Sequence, residues 1–294
     1  METKNSNGDW FEHFQKNGYA VIESFATESE CDELKEAIHK VTDSLDVEKE
    51  HRITFSTRGQ QQHISDDYFL TSGDKIRYFF EKLAFNEEGD LVVPKDQSLN
   101  KIGHALHWHN EVFRSISFSD KMKSVAKTLG LVDPAIIQSM YIFKNPRVGA
   151  EVCPHQDSSF LHMEPMKLFG VWLAVDDATE ENGCLHFIPG SHLTDGLYGN
   201  RRMLRYTKED GHIGLKLTGE IPEMESTLYK PVPVKKGSLV IIHGMVMHKS
   251  EPNKSANPRN AYTLHLIEQQ HTKWSDLNWL QPTDDLPFTP LYTN

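Results

Sequence analysis

The spacing of apolar residues predicts helices in the first part of the chain. One stripe, with apolar side chains three or four positions apart, comprises Cys31, Leu34, Ile38 and Val41. Thr27 and Glu30, just before it, have the spacing of a capping box, which predicts a helix start. Further short helices are predicted over 9–18 and 119–130, and a short apolar run over 19–23 predicts a strand.

From residue 135 onward the apolar period shortens towards two, which predicts strands. Five such strands are predicted, over 135–143, 169–175, 183–188, 238–242 and 261–267. On the first of them, alternation places Gln138, Met140 and Ile142 on one side. Turn residues separate the strands and few helical patterns follow, as in a β-sandwich or barrel. We therefore predict a mainly β fold with flanking helices, in which N-terminal helices wrap a double-sheet β core.

The organisation of the chain favours one domain. Its 294 residues could form one large domain or two ordinary ones, and neither an internal repeat nor a Pro/Gly-rich linker divides them. We predict a single domain over 1–294, with a helical layer and lid region over 1–134 and the β core over 135–294.

Two long polar segments interrupt this pattern. Residues 45–100 are irregular, with a loop centre at 57–63 and an amphipathic patch over 75–80, and long loops of this kind are often lids. Residues 191–233, which include a polar insertion over 194–233, carry Arg201, Arg202 and Arg205. The insertion is interpreted either as a solvated loop or as a lid that brings positive charge to an anionic substrate.

Composition narrows the classes of function. Hydrophobic residues make up 38% of the chain and charged residues 25%, as in a soluble globular protein. A formal net charge of −11 argues against DNA or RNA as a main partner, and no apolar run is long enough to span a membrane. The three cysteines lack a C-x-x-C pattern. Because we recognise neither a secretory nor a peroxisomal signal, we expect a cytoplasmic protein, with the nucleus as a second location.

Candidate metal chemistry begins at His155 and Asp157. Positions i and i+2 of an extended backbone point to one side, so this imidazole and carboxylate can reach one point in space. A further histidine would complete the two-histidine, one-carboxylate face that holds non-heme Fe(II). The cluster His104, His107 and His109 resembles a metal motif, but on a helix its members do not share one face. We interpret these three as ordinary surface or pocket histidines.

The third ligand and a cosubstrate clamp are predicted after the fourth strand. Both His243 and His248 follow it, and spacing alone leaves the choice between them open. Arg259 opens the fifth strand and offers the planar, permanently charged fork that a carboxylate binds through two hydrogen bonds. Strand alternation places Ala261 and Thr263 on the same face as Arg259, which leaves room for a small ligand.

Several of these motifs resemble the phytanoyl-CoA dioxygenase family. The resemblance extends from about Gly18 to the C-terminus. It is carried by His155-Gln-Asp157, Gly170-Val-Trp172, the block Glu181-Asn-Gly-Cys-Leu-His-Phe-Ile-Pro-Gly-Ser-His192, His248 and Arg259. The resemblance implies a double-stranded β-helix (jelly-roll or cupin-like) core, Fe(II), the cosubstrates 2-oxoglutarate and O₂, and ascorbate as an additional candidate.

The resemblance also implies the site residues. The family's distal ligand stands eleven residues before the arginine, which selects His248 over His243. His155, Asp157 and His248 are then the metal ligands and the catalytic centre. The implied cosubstrate residues are Lys101, Met140, Trp172, Ser250 and Arg259. His186, His192 and His265 are expected to be ordinary structural histidines, and Gln156 to point away from the metal.

Three functional hypotheses follow. The first is a dioxygenase that couples oxidative decarboxylation of 2-oxoglutarate, to succinate and CO₂, to hydroxylation or oxidative demethylation of a small-molecule or peptide substrate. The second is a zinc hydrolase on the same triad, against which the arginine clamp counts. The third is a catalytically weak module that binds or senses 2-oxoglutarate. An acyl-CoA is one substrate candidate, for which Arg201, Arg202 and Arg205 are the evident basic cluster.

Overall fold

Antiparallel strands dominate the computed structural model, which describes residues 7–47, 67–220 and 224–294. The predicted loop centre at 57–63 lies outside these residues. The helices are α1 (Asn7–Asn17), α2 (Glu28–Asp43), α3 (Asp67–Leu70), α4 (Leu106–His109), α5 (Glu111–Ser117) and α6 (Asp120–Thr128). The strands are β1 (Tyr19–Ile22), β2 (Ile76–Phe80), β3 (Leu99–His104), β4 (Pro134–Ile142), β5 (Val152–His155), β6 (Met163–Glu164), β7 (Leu168–Ala174), β8 (Leu185–Phe187), β9 (Arg202–Thr207), β10 (Ile213–Thr218), β11 (Lys230–Val232), β12 (Leu239–His243), β13 (His248–Ser250), β14 (Ala261–Glu268), β15 (Lys273–Trp274) and β16 (Thr289–Pro290).

Two sheets form the β core. The major sheet has eight strands in the order β1-β12-β7-β14-β4-β3-β2, with β16 paired to β4, and the minor sheet has the order β11-β8-β13-β5. All of these pairs are antiparallel. An apolar cluster that includes Trp172 and Ile242 of the major sheet and Phe187 of the minor sheet fills the space between them. This arrangement confirms the predicted mainly β, jelly-roll fold.

Strand β7 shows how the core is built. Every residue of β7 is buried, because both faces of the strand are covered. Val171 and Leu173 pack in the largest apolar cluster, together with residues of the N-terminal helices such as Leu34. The alternate position, Trp172, faces the minor sheet instead. The major sheet therefore carries helices on one face and the minor sheet on the other.

The predicted helix features are confirmed. At the start of α2 the hydroxyl of Thr27 accepts a hydrogen bond from the backbone N–H of Glu30, and the Glu30 carboxylate accepts one from the backbone N–H of Thr27. The stripe of α2 is buried at Cys31, Leu34 and Ile38. Such a capping box contributes about 1 kcal/mol to stability.

The N-terminal part of the chain is not only a helical layer. Strands β1, β2 and β3 precede residue 135 and belong to the major sheet, so the division at residue 134 does not separate helices from β core. The patch over 75–80, predicted within an irregular region, contains β2. β3 is hard to recognise because Lys101, Gly103 and His104 are polar or small residues that are nevertheless buried in the fold.

Part of the insertion over 194–233 forms a hairpin of β9 and β10. Its turn contains Asp210-Gly211, a typical hairpin signal, with Gly211 at φ +84°. Met203 and Leu215 of this hairpin pack in an apolar cluster with Leu161 and Trp279. The hairpin is thus anchored to the fold rather than being a solvated loop. Within the described residues, no helix has the length and apolar character that a membrane span needs.

Candidate active site

Two adjacent strands of the minor sheet bring the predicted triad together. His155 at the end of β5 is paired directly with His248 at the start of β13, and Asp157 follows β5 in a short 3₁₀ turn. The Nε2 atoms of His155 and His248 lie 3.5 and 3.6 Å from Oδ1 of Asp157. One potential ligand atom from each residue lies within 4.8 Å of the other two. Two nitrogens and one oxygen gathered in this way fit the donor set of a non-heme Fe(II) site.

Backbone carbonyls orient both imidazoles. Nδ1 of His155 donates to the carbonyl oxygen of Cys153 at 2.8 Å, and Nδ1 of His248 donates to that of Val246 at 3.1 Å. These hydrogen bonds leave the Nε2 lone pairs free to bind a metal. A metal-ligating histidine usually donates its other ring N–H in this way.

Electrostatics keep two members of the triad, Asp157 and His248, in their ligating forms. Burial alone would raise the pKa of the Asp157 carboxyl, but the neighbouring imidazoles of His248 and His265 hold it well below its ordinary value. Burial lowers the pKa of His248 to about 4. Near neutral pH the site therefore offers a carboxylate and a neutral distal imidazole.

A narrow cavity of about 110 Å³ runs from the triad between the two sheets. Met140, Trp172, Ser250 and Arg259, four of the five predicted cosubstrate residues, line it. Arg259 is 1% exposed, and its Nε and one terminal nitrogen have no hydrogen-bond partner among the described residues. Its guanidinium carbon lies 5.3 Å from the centre of the Trp172 ring. Burial lowers the pKa of Arg259 to about 10, so it remains a cation. A buried cation with unused donors fits a small carboxylate ligand.

A second, wider cavity of about 270 Å³ meets the triad and shares His155, Asp157 and Met140 with the narrow one. Its apolar walls include Phe69, Phe160, Leu161, Met203 and Trp279. Lys101, the fifth predicted cosubstrate residue, lines this wider cavity, where burial lowers its pKa to about 7. The structure thus places Lys101 next to the cosubstrate cavity rather than within its lining.

His265 is the site residue that the sequence analysis missed. It was expected to be an ordinary structural histidine, yet its Nε2 lies 3.2 Å from Oδ2 of Asp157. The signal was present, since His265 continues the i, i+2 series of Arg259, Ala261 and Thr263 on one strand face.

His104, His107 and His109 make contacts outside the triad. Nδ1 of His104 is 2.8 Å from the Ser72 hydroxyl, Nδ1 of His107 is 2.9 Å from that of Ser139, and His109 bonds to the backbone oxygen of Asp74. The three do not form a metal-binding group in the described parts of the chain. His104 does line the wider cavity.

The structure places His248, and not His243, beside Asp157. His243 accepts a hydrogen bond from the backbone N–H of Met245, and its ring lies near Phe14, Phe169 and His192 rather than near Asp157. His192 is bonded to the backbone oxygen of Gln15 and so ties its loop to α1.

The arginines of the insertion are buried or in contact with the 275–279 segment. Arg201 is 6% exposed, and Nε of Arg205 donates to the backbone oxygen of Trp279 at 3.1 Å. Arg202 lies 3.5 Å from the Ser275 hydroxyl. These contacts tie the hairpin to the 275–279 segment, which weakens the expectation of a free basic cluster for a CoA phosphate.

Comparison with known proteins gives consistent results. The model of the family described as phytanoyl-CoA dioxygenase matches residues 14–261. The protein from Mus musculus described as phytanoyl-CoA dioxygenase domain-containing protein 1 is 50% identical over 284 residues, which cover 95% of this chain and 96% of the mouse protein. That relationship extends over nearly the full length of both chains.

Solved structures resemble the fold. The non-heme α-ketoglutarate-dependent carbocyclase SnoK from nogalamycin biosynthesis covers 98% of this chain and 98% of its own, with a TM-score of 0.61 and 16% identity. The epimerase SnoN, in complex with Fe³⁺, α-ketoglutarate and nogalamycin RO, covers 97% of this chain and 98% of its own, with a TM-score of 0.61 and 13% identity. At these identities the likeness shows the fold alone.

Proposed function

Because this chain belongs to the phytanoyl-CoA dioxygenase family, we propose that it is an Fe(II)- and 2-oxoglutarate-dependent dioxygenase that hydroxylates or oxidatively demethylates a small molecule or peptide. One observation carries the proposal: the triad and the Arg259 guanidinium line the same narrow cavity. A ligand with a metal-chelating head and a distant carboxylate, such as 2-oxoglutarate, matches this arrangement.

Each group of the site has a part in this activity. His155, Asp157 and His248 would hold the iron, which, when bound with 2-oxoglutarate and O₂, supplies the redox chemistry that yields succinate, CO₂ and an oxidised substrate C–H bond. Arg259 would pair with the distal carboxylate of the cosubstrate, with its unused N–H donors satisfied by that contact. Ser250, whose buried hydroxyl also has no partner among the described residues, would add a further hydrogen bond there.

The surroundings of the site support oxidation of a bound organic substrate. Trp172, Leu185 and Ile242 line the narrow cavity with apolar surface, which keeps bulk water from the cosubstrate. The wider cavity would receive the primary substrate against Phe160 and Trp279, close to His155 and Asp157. Ascorbate is a proposed reductant that would maintain iron as Fe(II).

The test is 2-oxoglutarate turnover by the purified protein. With Fe(II), 2-oxoglutarate and O₂ we expect succinate release above a protein-free background, and stronger release when a metabolite from a substrate screen occupies the wider cavity. His155→Ala should lower the rate to background because one of three ligands is lost. Arg259→Lys should raise the KM for 2-oxoglutarate roughly 10- to 100-fold, because an ammonium lacks the two-pronged geometry of guanidinium.

Controls separate this proposal from the alternatives. Arg147→Lys, at an exposed position, is the matched control and should leave the KM unchanged. Absence of succinate together with no difference between wild type and His155→Ala would contradict the proposal. Stoichiometric zinc after anaerobic purification would favour the hydrolase instead, and tight 2-oxoglutarate binding without succinate would favour the binding or sensing module.

A further inference from the structure

The two oxygens of the Asp157 carboxylate have different neighbours. Oδ1 lies between the Nε2 atoms of His155 and His248, at 3.5 and 3.6 Å, whereas Oδ2 faces Nε2 of His265 at 3.2 Å. We propose that His265 is a positioning residue, which holds Oδ2 so that Asp157 presents Oδ1 alone to the metal. This inference rests on the proposed iron site and extends it to a residue outside the triad.

Gln138 selects the tautomer that this role requires. The carboxylate Oδ2 only accepts hydrogen bonds, so the ring of His265 must carry its hydrogen on Nε2. On the opposite side of the ring, the Gln138 amide nitrogen lies 3.0 Å from Nδ1 of His265 and donates to it. A ring that accepts at Nδ1 keeps its hydrogen at Nε2, directed at Asp157.

The major sheet holds this chain of hydrogen bonds in place. His265 on β14 is paired with Gly170 of β7 on one side and with Gln138 of β4 on the other, so the three residues form one row across the sheet. His265 is 7% exposed and Gln138 is 4% exposed. Side chains of central strands that are packed on both sides have little freedom to turn, which suits a residue that fixes another.

Asp157 needs this support because its own backbone lies beyond the end of β5, the edge strand of the minor sheet. The turn is anchored by Ser158, whose backbone N–H and hydroxyl both donate to the carbonyl oxygen of Gly244, but those bonds do not restrain the Asp157 side chain. His265 therefore links a ligand on a sheet edge to the centre of the opposite sheet.

Loss of this link has a defined chemical consequence. A carboxylate can bind a metal through one oxygen or through both. Without His265, Asp157 is free to turn its second oxygen towards the metal and take a position that the cosubstrate or O₂ needs. We therefore expect weaker metal binding and a coordination position that is closed to the cosubstrate or O₂, without loss of the fold.

The test uses Co(II), whose visible absorption reports its ligands without turnover. His265→Leu removes the hydrogen-bond donor and has a side chain of similar volume. We expect its Co(II) affinity to be 10- to 100-fold weaker than that of the wild type, and its absorption spectrum in the presence of 2-oxoglutarate to differ from the wild-type spectrum. His265→Gln retains a side-chain N–H and should recover most of the affinity and the wild-type spectrum. His107→Leu is the matched control, since His107 is 1% exposed and bonded to Ser139, away from Asp157.

The outcomes are distinct. Wild-type affinity and an unchanged spectrum in His265→Leu, with Co(II) binding lost in His155→Ala, would overturn the role of His265 and leave the proposed function standing. Wild-type protein that binds no Co(II) would overturn both. Should His265→Leu fail to fold, Gln138→Leu removes the tautomer selection from a residue that does not touch Asp157. The proposal then requires a smaller loss of Co(II) affinity in Gln138→Leu than the one expected for His265→Leu. An unchanged Co(II) affinity in Gln138→Leu would contradict the proposal.

Discussion

Glu81 is an acid held in the interior with only part of its hydrogen-bonding capacity used. Its side chain is 1% exposed, and one carboxylate oxygen accepts hydrogen bonds from Asn100 and from the backbone of Ala150. The other oxygen has no partner among the described residues. Burial raises the pKa of Glu81 from 4.5 to about 7.

This shift predicts a pH-dependent stability. Between pH 4.5 and 7 the folded protein holds a proton that the unfolded chain has lost, so the free energy of unfolding falls as pH rises, and the penalty is complete above pH 7. Glu81→Gln has no titrating carboxyl at this position. The difference between its free energy of unfolding and that of the wild type should therefore shift in favour of the variant by on the order of 1–3 kcal/mol from pH 4 to pH 8. Urea unfolding at the two pH values measures this difference. Glu87→Gln, at an exposed position, is the control, and parallel pH profiles of Glu81→Gln and wild type would contradict the prediction.

At the residue scale, sequence identified the groups whose chemistry leaves few choices. His155, Asp157 and Arg259 were recognisable because a metal face and a dicarboxylate clamp each need a particular residue type. Residues that act through another residue are harder to recognise. For His265, strand alternation indicates the face on which it lies, but its partner Asp157 is distant in the sequence, so the alternation does not indicate their contact. Lys101 was assigned through a resemblance, and its role remains a prediction.

Strand β7 shows how closely an element can be adapted to the site. Gly170 lies beneath the Asp157 carboxylate, and a Cβ atom there would be 2.8 Å from Oδ2 of Asp157 and 3.3 Å from Cβ of Ile242. The missing side chain thus creates the space in which the carboxylate meets His265.

We therefore predict that Gly170→Ala impairs the metal site more than the fold. The added methyl group should displace the carboxylate and weaken metal affinity about 10-fold or more, while overpacking costs about 1–3 kcal/mol of stability. Isothermal titration with Mn(II) and urea unfolding measure the two effects separately. Gly196→Ala is the matched control, because no atom lies within 4 Å of a Cβ placed there. Equal metal affinities of the two variants would rule out the steric explanation.

At the element scale, predictability followed the burial pattern. Five strands from residue 134 onward, β4, β7, β8, β12 and β14, were predicted because most of their residues are apolar, as in β14, where every residue is buried. Strand β2 lies in the segment interpreted as an amphipathic patch. Strand β3 was missed because polar side chains of this strand, including Lys101 and His104, line the wider cavity. The hairpin of β9 and β10 was missed although Asp210-Gly211 marks its turn, because polar and apolar residues are mixed in its strands and several of them are exposed.

At the scale of the whole molecule, the residues that line the site come from both sheets. His155, Asp157 and His248 belong to the minor sheet and the turn after it, whereas Trp172 and Met140 belong to the major sheet. Occupancy of the cavity between the sheets should therefore stabilise the entire β core. A ligand present at 100 times its Kd adds about 2.7 kcal/mol to the free energy of unfolding.

We predict that Mn(II) and 2-oxoglutarate together raise the melting temperature by several degrees, and by more than either does alone. The metal-dependent part should disappear in His155→Ala. Glutarate, which has both carboxylates but lacks the 2-oxo group, is the matched ligand control and should give a smaller shift in the presence of metal. Differential scanning fluorimetry measures these shifts, and equal effects of glutarate and 2-oxoglutarate would exclude chelation.

The general architecture was predictable because helical and strand periods mark layers that must pack on each other. The boundary between those layers was not, because pairing between distant segments, such as β1 with β12, depends on the three-dimensional arrangement rather than on local sequence. The jelly-roll topology itself was implied by the family resemblance.

The position of His155 on the edge strand β5 has a final consequence for the metal-free protein. β5 has four residues, one of them Pro154, and a single strand neighbour in the minor sheet, β13. A metal bound by both His155 and His248 would cross-link these two strands, in addition to their few backbone hydrogen bonds. Without it, this corner can open by local unfolding while the major sheet and the helices remain intact. A metal-free preparation would then give a native circular dichroism spectrum although its site is not fully formed.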